Sequence, residues 1–179
     1  GGVYYQAGEY DEAIAEFKKA ISINPNYESA YNGLGGVYYQ AGEYDEAIAE
    51  FKKAISVNPN SLRAYNGLGL VYSEQGKYDL AIESYQKAIA INPEDAGAYN
   101  MLGIIYGHQG AFYSEQDKYD LAIESYQKTI SIDPEFAYTY KALGIIYFKQ
   151  EKYDLAIEFY QKAIAINPEA AGAYNMLGI

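Results

Sequence analysis

No cysteine and no tryptophan occur in the 179 residues, and there is a single histidine. Without cysteine there is no disulfide and no thiolate metal site. That fits a reducing compartment, although helical arrays need no cross-links anywhere. Basic side chains are scarce: 13 Lys and Arg stand against 24 Asp and Glu, for a formal net charge of -11. Nucleic-acid binders carry a basic stripe that releases counterions from phosphates, so no nucleic-acid partner is expected. The same sign disfavours anionic membrane surfaces and suits a basic or neutral partner. No apolar run nears the ~18 residues of a membrane span, so no membrane insertion is expected either. Asn-x-Ser/Thr acceptors are absent. No signal peptide is visible. The chain opens without Met inside a repeating pattern, so a cytoplasmic location is expected only if no signal precedes it.

Half of the residues are hydrophobic, too many for a disordered tail, and 23 are tyrosine. The five prolines share one context, Ile-Asn-Pro, Val-Asn-Pro or Ile-Asp-Pro. They are Pro25, Pro59, Pro93, Pro134 and Pro168, at spacings of 34, 34, 41 and 34. Gly1 to Asn26 matches Gly35 to Asn60 everywhere except Ile23 against Val57. Self-similarity at a fixed period of this size marks a repeat architecture.

Each period reads as two helices. In residues 28–61, Tyr31, Leu34, Gly35 and Tyr38 recur at i, i+3, i+4 and i+7, one helical face. Gly42 breaks the pattern and supplies a positive-φ turn. Ala47, Phe51, Ala54 and Ile55 then mark a second face. Asp45 and Glu46 lie in its first turn and Lys52 and Lys53 later, as the helix dipole prefers. Pro59 ends it, with Asn58 pushed out of the helical region. Later copies carry Glu83–Lys87, Glu124–Lys128 and Glu158–Lys162 at i, i+4, solvated pairs worth ~0.3 kcal/mol each.

This pattern resembles the tetratricopeptide repeat over the whole chain. Its residues in 28–61 are Tyr31 (in place of the usual Trp), Leu34, Gly35, Tyr38, Gly42, Ala47, Phe51, Ala54 and Pro59. The next copy has Tyr65, Leu68, Gly69, Tyr72, Gly76, Ala81, Tyr85, Ala88 and Pro93. Pentatricopeptide repeats are of similar length but bind RNA, and the Leu-Gly, Ala and Pro pattern and the acidity argue against them. The resemblance implies an all-α fold, a right-handed superhelical solenoid of antiparallel helix pairs. Small residues such as Gly35 and Ala47 would let paired helices approach, with aromatic side chains filling the gaps. Most tyrosines read as packing residues whose hydroxyls reach a rim. The expected organisation is one array: a partial repeat at 1–27, repeats at 28–61, 62–95, 96–136 and 137–170, and a partial repeat at 171–179.

Repeat 96–136 is seven residues too long. Tyr113 to Lys128 copies Tyr72 to Lys87 with Asp117 in place of Gly76, so the end of the first helix occurs twice. Seven residues are nearly two helical turns, a drift of only ~20°. The first helix can therefore lengthen by ~10 Å, or a kinked bulge can take up the insertion. Either puts a protrusion at the helix-turn edge, as a contact site or as a tolerated duplication scar. Asp117 and Glu151 stand where other turns have Gly. Asp tolerates left-handed geometry better than Glu, so a strained or differently closed turn is expected at Glu151. The pattern is cut inside a first helix at both ends, which leaves no polar capping helix.

Enzyme signatures are missing. His108 has no second His, no Cys and no nucleophile motif near it. Glu43, Asp45 and Glu46 lack the alternating Asp/Asn loop of a calcium site and read as helix N-terminal charge. Gly1–Gly2 and Gly33–Gly35–Gly36 follow no strand and are not phosphate loops. No catalytic residue, metal or cofactor is expected.

The resemblance places partners in the groove lined by first helices. Helical spacing from Ser29 puts Asn32, Gly36, Tyr39 and Gln40 on that face. The next helix contributes Arg63, Asn66, Leu70, Ser73 and Glu74. Then come Gly97, Asn100, Ile104 and His108, followed by Tyr138, Lys141, Ile145, Phe148 and Lys149. Asn recurs at Asn32, Asn66, Asn100 and Asn175, and such amides can pair with an extended backbone. A solvated row copied by duplication is the plainer reading. Relatives that grip chaperone C-terminal tails use an Asn with neighbouring cations. Here those places hold Gly2, Gly36, Leu70, Ile104 and Ile145, with Asn32, Gly33, Gly67 and Met101 beside them, which argues against chaperone tails. The expected function is a non-catalytic scaffold that binds a protein or peptide segment in the groove. The alternative is a self-assembling array that stacks head-to-tail into a filament, with contacts that need not close.

Overall fold

The computed structural model describes residues 10–113 and 115–168. The segments 1–9 and 169–179, with Gly1–Gly2, Asn175, the first third of the partial repeat 1–27 and all of the partial repeat 171–179, lie outside the described residues, as does the Tyr113 side chain. Among the described residues there are nine helices and no strand. They are α1 (Tyr10–Ile23), α2 (Glu28–Gln40), α3 (Tyr44–Val57), α4 (Leu62–Glu74), α5 (Tyr78–Ile91), α6 (Ala96–Tyr113), α7 (Gln116–Ile132), α8 (Ala137–Lys149) and α9 (Tyr153–Ile166).

Contacts divide the chain into two units, Gly1–Pro93 and Glu94–Ile179. In the first, α2 pairs with α3 and α4 with α5, while α1 packs on α2, α3 on α4, and α2 on α4. In the second, α6 pairs with α7 and α8 with α9, with α7 on α8 and α6 on α8. Each unit is thus an all-α stack of helical hairpins that bury faces against their neighbours.

The helix ends follow from local chemistry. At Asn58, Asn92, Asp133 and Asn167 the backbone turns extended, as the following proline requires. The Asn or Asp side chain then accepts from the backbone N–H two residues on, at 3.1 Å from Asn60 to Asn58 and from Glu135 to Asp133. Ser61 and Asp95 accept from the N–H of Ala64 and Ala98 and cap α4 and α6.

Turns within hairpins need a left-handed residue, supplied by Gly42 (φ 79°) and Gly76 (φ 70°). Glu151 adopts φ 59° in the same role. Its turn closes as the glycine turns do: Lys152 N–H donates to Tyr147 at 2.9 Å, as Glu43 does to Tyr38. The expected strain is therefore present, and the closure is unchanged. A left-handed residue with a Cβ costs ~1–2 kcal/mol, partly offset by glycine's greater entropy when unfolded. Glu151→Gly is expected to stabilise the chain by ~0.5–1 kcal/mol in urea unfolding.

The seven-residue insertion is absorbed by both helices of its hairpin. First helices α2, α4 and α8 have 13 residues and α6 has 18; second helices α3, α5 and α9 have 14 and α7 has 17. Asp117 is not a turn residue at all. It sits in the first turn of α7, where a carboxylate faces the positive helix end.

Pairing within hairpins rests on an aromatic ring laid over a bare backbone. Phe51 of α3 is 4% exposed and lies over Gly35 of α2 and Gly67 of α4. Tyr85 covers Gly69, Tyr126 covers Gly103 and Tyr160 covers Gly144. A Cβ at Gly103 would come within 2.5 Å of the Tyr126 ring, so only glycine permits this approach. Burial pushes the Tyr126 and Tyr160 hydroxyls up, so both rings pack as neutral phenols.

Candidate functional site

In the first unit the predicted face becomes a groove of about 430 Å³ between α2 and α4. Asn32, Gly36, Tyr39, Gln40, Arg63 and Leu70 line it, as their helical spacing implied. Four further lining residues escaped the sequence reading: Phe17, Gly33, Phe51 and Gly67. Gly33 and Gly67 lack side chains, so the Phe17 and Phe51 rings packed against them form the floor. The signal was present in the sequence, since the α1/α3 Phe and the next hairpin's Gly recur together at a spacing of 16. Asn66 and Glu74 do not line this groove; Asn66 is half-buried and Glu74 exposed.

The asparagine row needs correction. Asn32 is 4% exposed and Asn100 7%. Asn32 Nδ2 donates to Glu28 Oε1 at 2.8 Å and to Ser61 Oγ at 3.1 Å. Asn100 Oδ1 accepts from the Thr139 hydroxyl at 3.1 Å. Both amides therefore tie one first helix to the start of the next. Helical spacing put both on the groove face. It could not show that the next hairpin's first residues lie over them.

Around Asn32 this becomes a polar clasp. The Ser61 hydroxyl and Asn58 Nδ2 also donate to the Glu28 carboxylate, the latter at 3.2 Å. The Ser61 hydrogen bond holds the Glu28 carboxyl below the usual carboxylate range. Burial works against this, while Asn58, Asn32 and the Arg63 charge add to it. A lowered folded value means stability fully present above the ordinary 4.5 and lost as pH falls through the lowered value. Glu28→Gln is expected to cost on the order of 1 kcal/mol near neutral pH. The gap to wild type in urea midpoints should close as pH falls from 4.5 through the lowered Glu28 value.

In the second unit the predicted residues have different surroundings. Ile104 packs on the core of Ala122, Tyr126, Ala142, Leu143 and Ile146. Tyr138 is exposed with the Lys141 ammonium 5.5 Å from its ring centre. Ile145 is half-buried, and Phe148 is exposed, edge-on to Tyr153 at 5.5 Å. Among the described residues no three His, Cys, Asp or Glu side chains converge as a metal site, and no helix is long and apolar enough to cross a membrane.

The fold and this groove define a helical-hairpin repeat protein. Sequence profiles of the tetratricopeptide repeat match residues 26–94, 60–135 and 137–170, and a TPR repeat profile matches 1–42. The chain belongs to the tetratricopeptide repeat family. It is similar to a crystal structure of MamA at 32% identity, covering 94% of this chain and 95% of that one, with a TM-score of 0.81. YrrB, described as a TPR protein with an unusual peptide-binding site, is 25% identical over 99% of this chain and 88% of its own, with a TM-score of 0.76. MamA from Desulfovibrio magneticus RS-1 shares the fold at 24% identity and a TM-score of 0.79, with 94% of this chain and 92% of that one covered. No curated protein matches the chain. Folds of this family are in general interaction scaffolds rather than catalysts.

Proposed function

We propose that the chain is a non-catalytic protein-interaction scaffold that holds an extended or helical segment of a partner protein in the groove lined by its first helices. The observation that carries this is the groove between α2 and α4, with an open backbone at Gly36 and walls from Tyr39, Arg63 and Leu70. A surface concave enough to bury a segment, apolar at its floor and polar at its rim, suits a peptide better than a second flat surface. YrrB, described by its peptide-binding site, supports the same reading by similarity. In the second unit Tyr138, Lys141, Ile145 and Phe148 offer a further stretch of first-helix surface.

The test is affinity capture with the immobilised chain against a Tyr39→Ser/Leu70→Ser double variant, both of them groove-wall residues. A protein retained by wild type and lost with the variant is the expected result. Equal retention by both would refute groove binding. Light scattering separates the competing head-to-tail array: constant monomer mass is expected, and mass that grows with concentration would favour the array.

A further inference from the structure

We propose that the groove floored by Phe17 and Phe51 selects an extended partner segment carrying a bulky apolar side chain with a carboxylate within about three residues of it. This rests on the scaffold reading above and narrows it to a partner chemistry.

Two observations carry it. The first is the floor. Phe17 is half-buried and Phe51 buried, and both line the groove beside Gly33 and Gly67, which have no side chains; Leu70 extends the apolar surface. Nothing lies within 4 Å of where a Gly36 Cβ would project, so a partner backbone can approach α2 closely. A volume of about 430 Å³ exceeds that of any single side chain and falls in the ~300–1,000 Å³ range of ligand clefts. An apolar side chain seated there meets the half-buried Phe17 ring and Leu70. Asn32 lines the wall, already tied to Glu28 and Ser61.

The second observation is charge. The chain carries -11 overall, yet Arg63 is the one charged residue among those lining the groove. Arg63 is exposed, and no carboxylate lies within ion-pair distance of it among the described residues. The nearby Glu28 carboxylate, which feels the Arg63 charge, is engaged by Ser61, Asn58 and Asn32, so Arg63 is the charge that the groove lining presents to a partner. A long acidic stretch would be repelled by the rest of the surface, so the attraction selects a single well-placed carboxylate, which a guanidinium can grip through two parallel hydrogen bonds. Arg63 and Leu70 lie seven residues apart on α4, about 10 Å along the helix. An extended chain covers that distance in about three residues, which sets the spacing between the two features of the partner.

A random-sequence peptide display library panned on the full chain tests this. Enriched peptides are remade and titrated by fluorescence anisotropy against wild type, Gly36→Leu and Arg63→Glu. Gly36→Leu fills open space, and its fold is checked by circular dichroism. The expected peptides share a Leu, Ile, Met or Phe with an Asp or Glu within three positions. Their affinity should fall at least about tenfold in each variant, and Asp→Lys peptides should recover on Arg63→Glu. Peptides that require an open Gly36 but show no acidic preference, or that bind Arg63→Glu unchanged, overturn the inference and leave the groove reading intact. Binders indifferent to both variants, or no enriched binder, overturn both.

Discussion

Phe51→Ala is expected to destabilise the chain by ~3–5 kcal/mol, seen as a lowered urea midpoint and melting temperature. The ring is 4% exposed and touches three helices: its own α3, Gly35 on α2 and Gly67 on α4. Removing it loses the transfer energy of a buried aromatic and opens a cavity. Collapse cannot fill that cavity cheaply, because two of its walls are glycine backbone with no side chain to swing inward. The loss also uncouples one hairpin from the next, since Phe51 bridges 28–57 and 62–91. Phe51→Leu keeps part of the volume and should cost clearly less.

Gly67→Ala and Gly36→Ala are expected to act with opposite signs. A Cβ at Gly67 would fall 2.5 Å from Phe51 Cζ and 2.6 Å from Cε1. The same ring also packs against the Gly35 backbone of α2, so it is held between two helices. Overpacking of this kind costs ~1–3 kcal/mol beyond the ~1 kcal/mol that alanine gains over glycine in a helix. At Gly36 no atom lies within 4 Å, so only the propensity gain remains, and Gly36→Ala should stabilise by ~1 kcal/mol. Both sit on first helices of the same stack, so helix propensity alone would give both the same sign. Urea unfolding of the two single variants decides it.

The helices and the period were legible in the sequence because they are local. The Asn-Pro stops, the Gly42 and Gly76 turns and the recurring Tyr31, Leu34 and Tyr38 face each depend on residues a turn or two apart. The strain at Glu151 was legible for the same reason, since a left-handed position can be counted from its neighbours. Properties set between hairpins were not. Asn32 and Asn100 point as their spacing says, yet the next hairpin's Ser61 and Thr139 bury them. Asp117 was read as a turn residue by alignment with Gly76, but α7 starts earlier and takes it into its first turn. The insertion was assigned to one helix or to a bulge, whereas both helices lengthen and stay in contact. The groove walls were read from helical angle. The floor, made by Phe17 and Phe51 against Gly33 and Gly67, shows in the sequence only as a Phe–Gly spacing of 16, which does not say that ring and backbone meet.

A double-mutant cycle on Phe51 and Gly67 bears most directly on the idea that these hairpins join by a ring laid on bare backbone. With Phe51→Leu in place, the methyl of Gly67→Ala has room. The pair should therefore be less destabilised than the sum of the singles by at least ~1 kcal/mol. Additivity within ~0.5 kcal/mol would mean that the ring and that backbone do not meet.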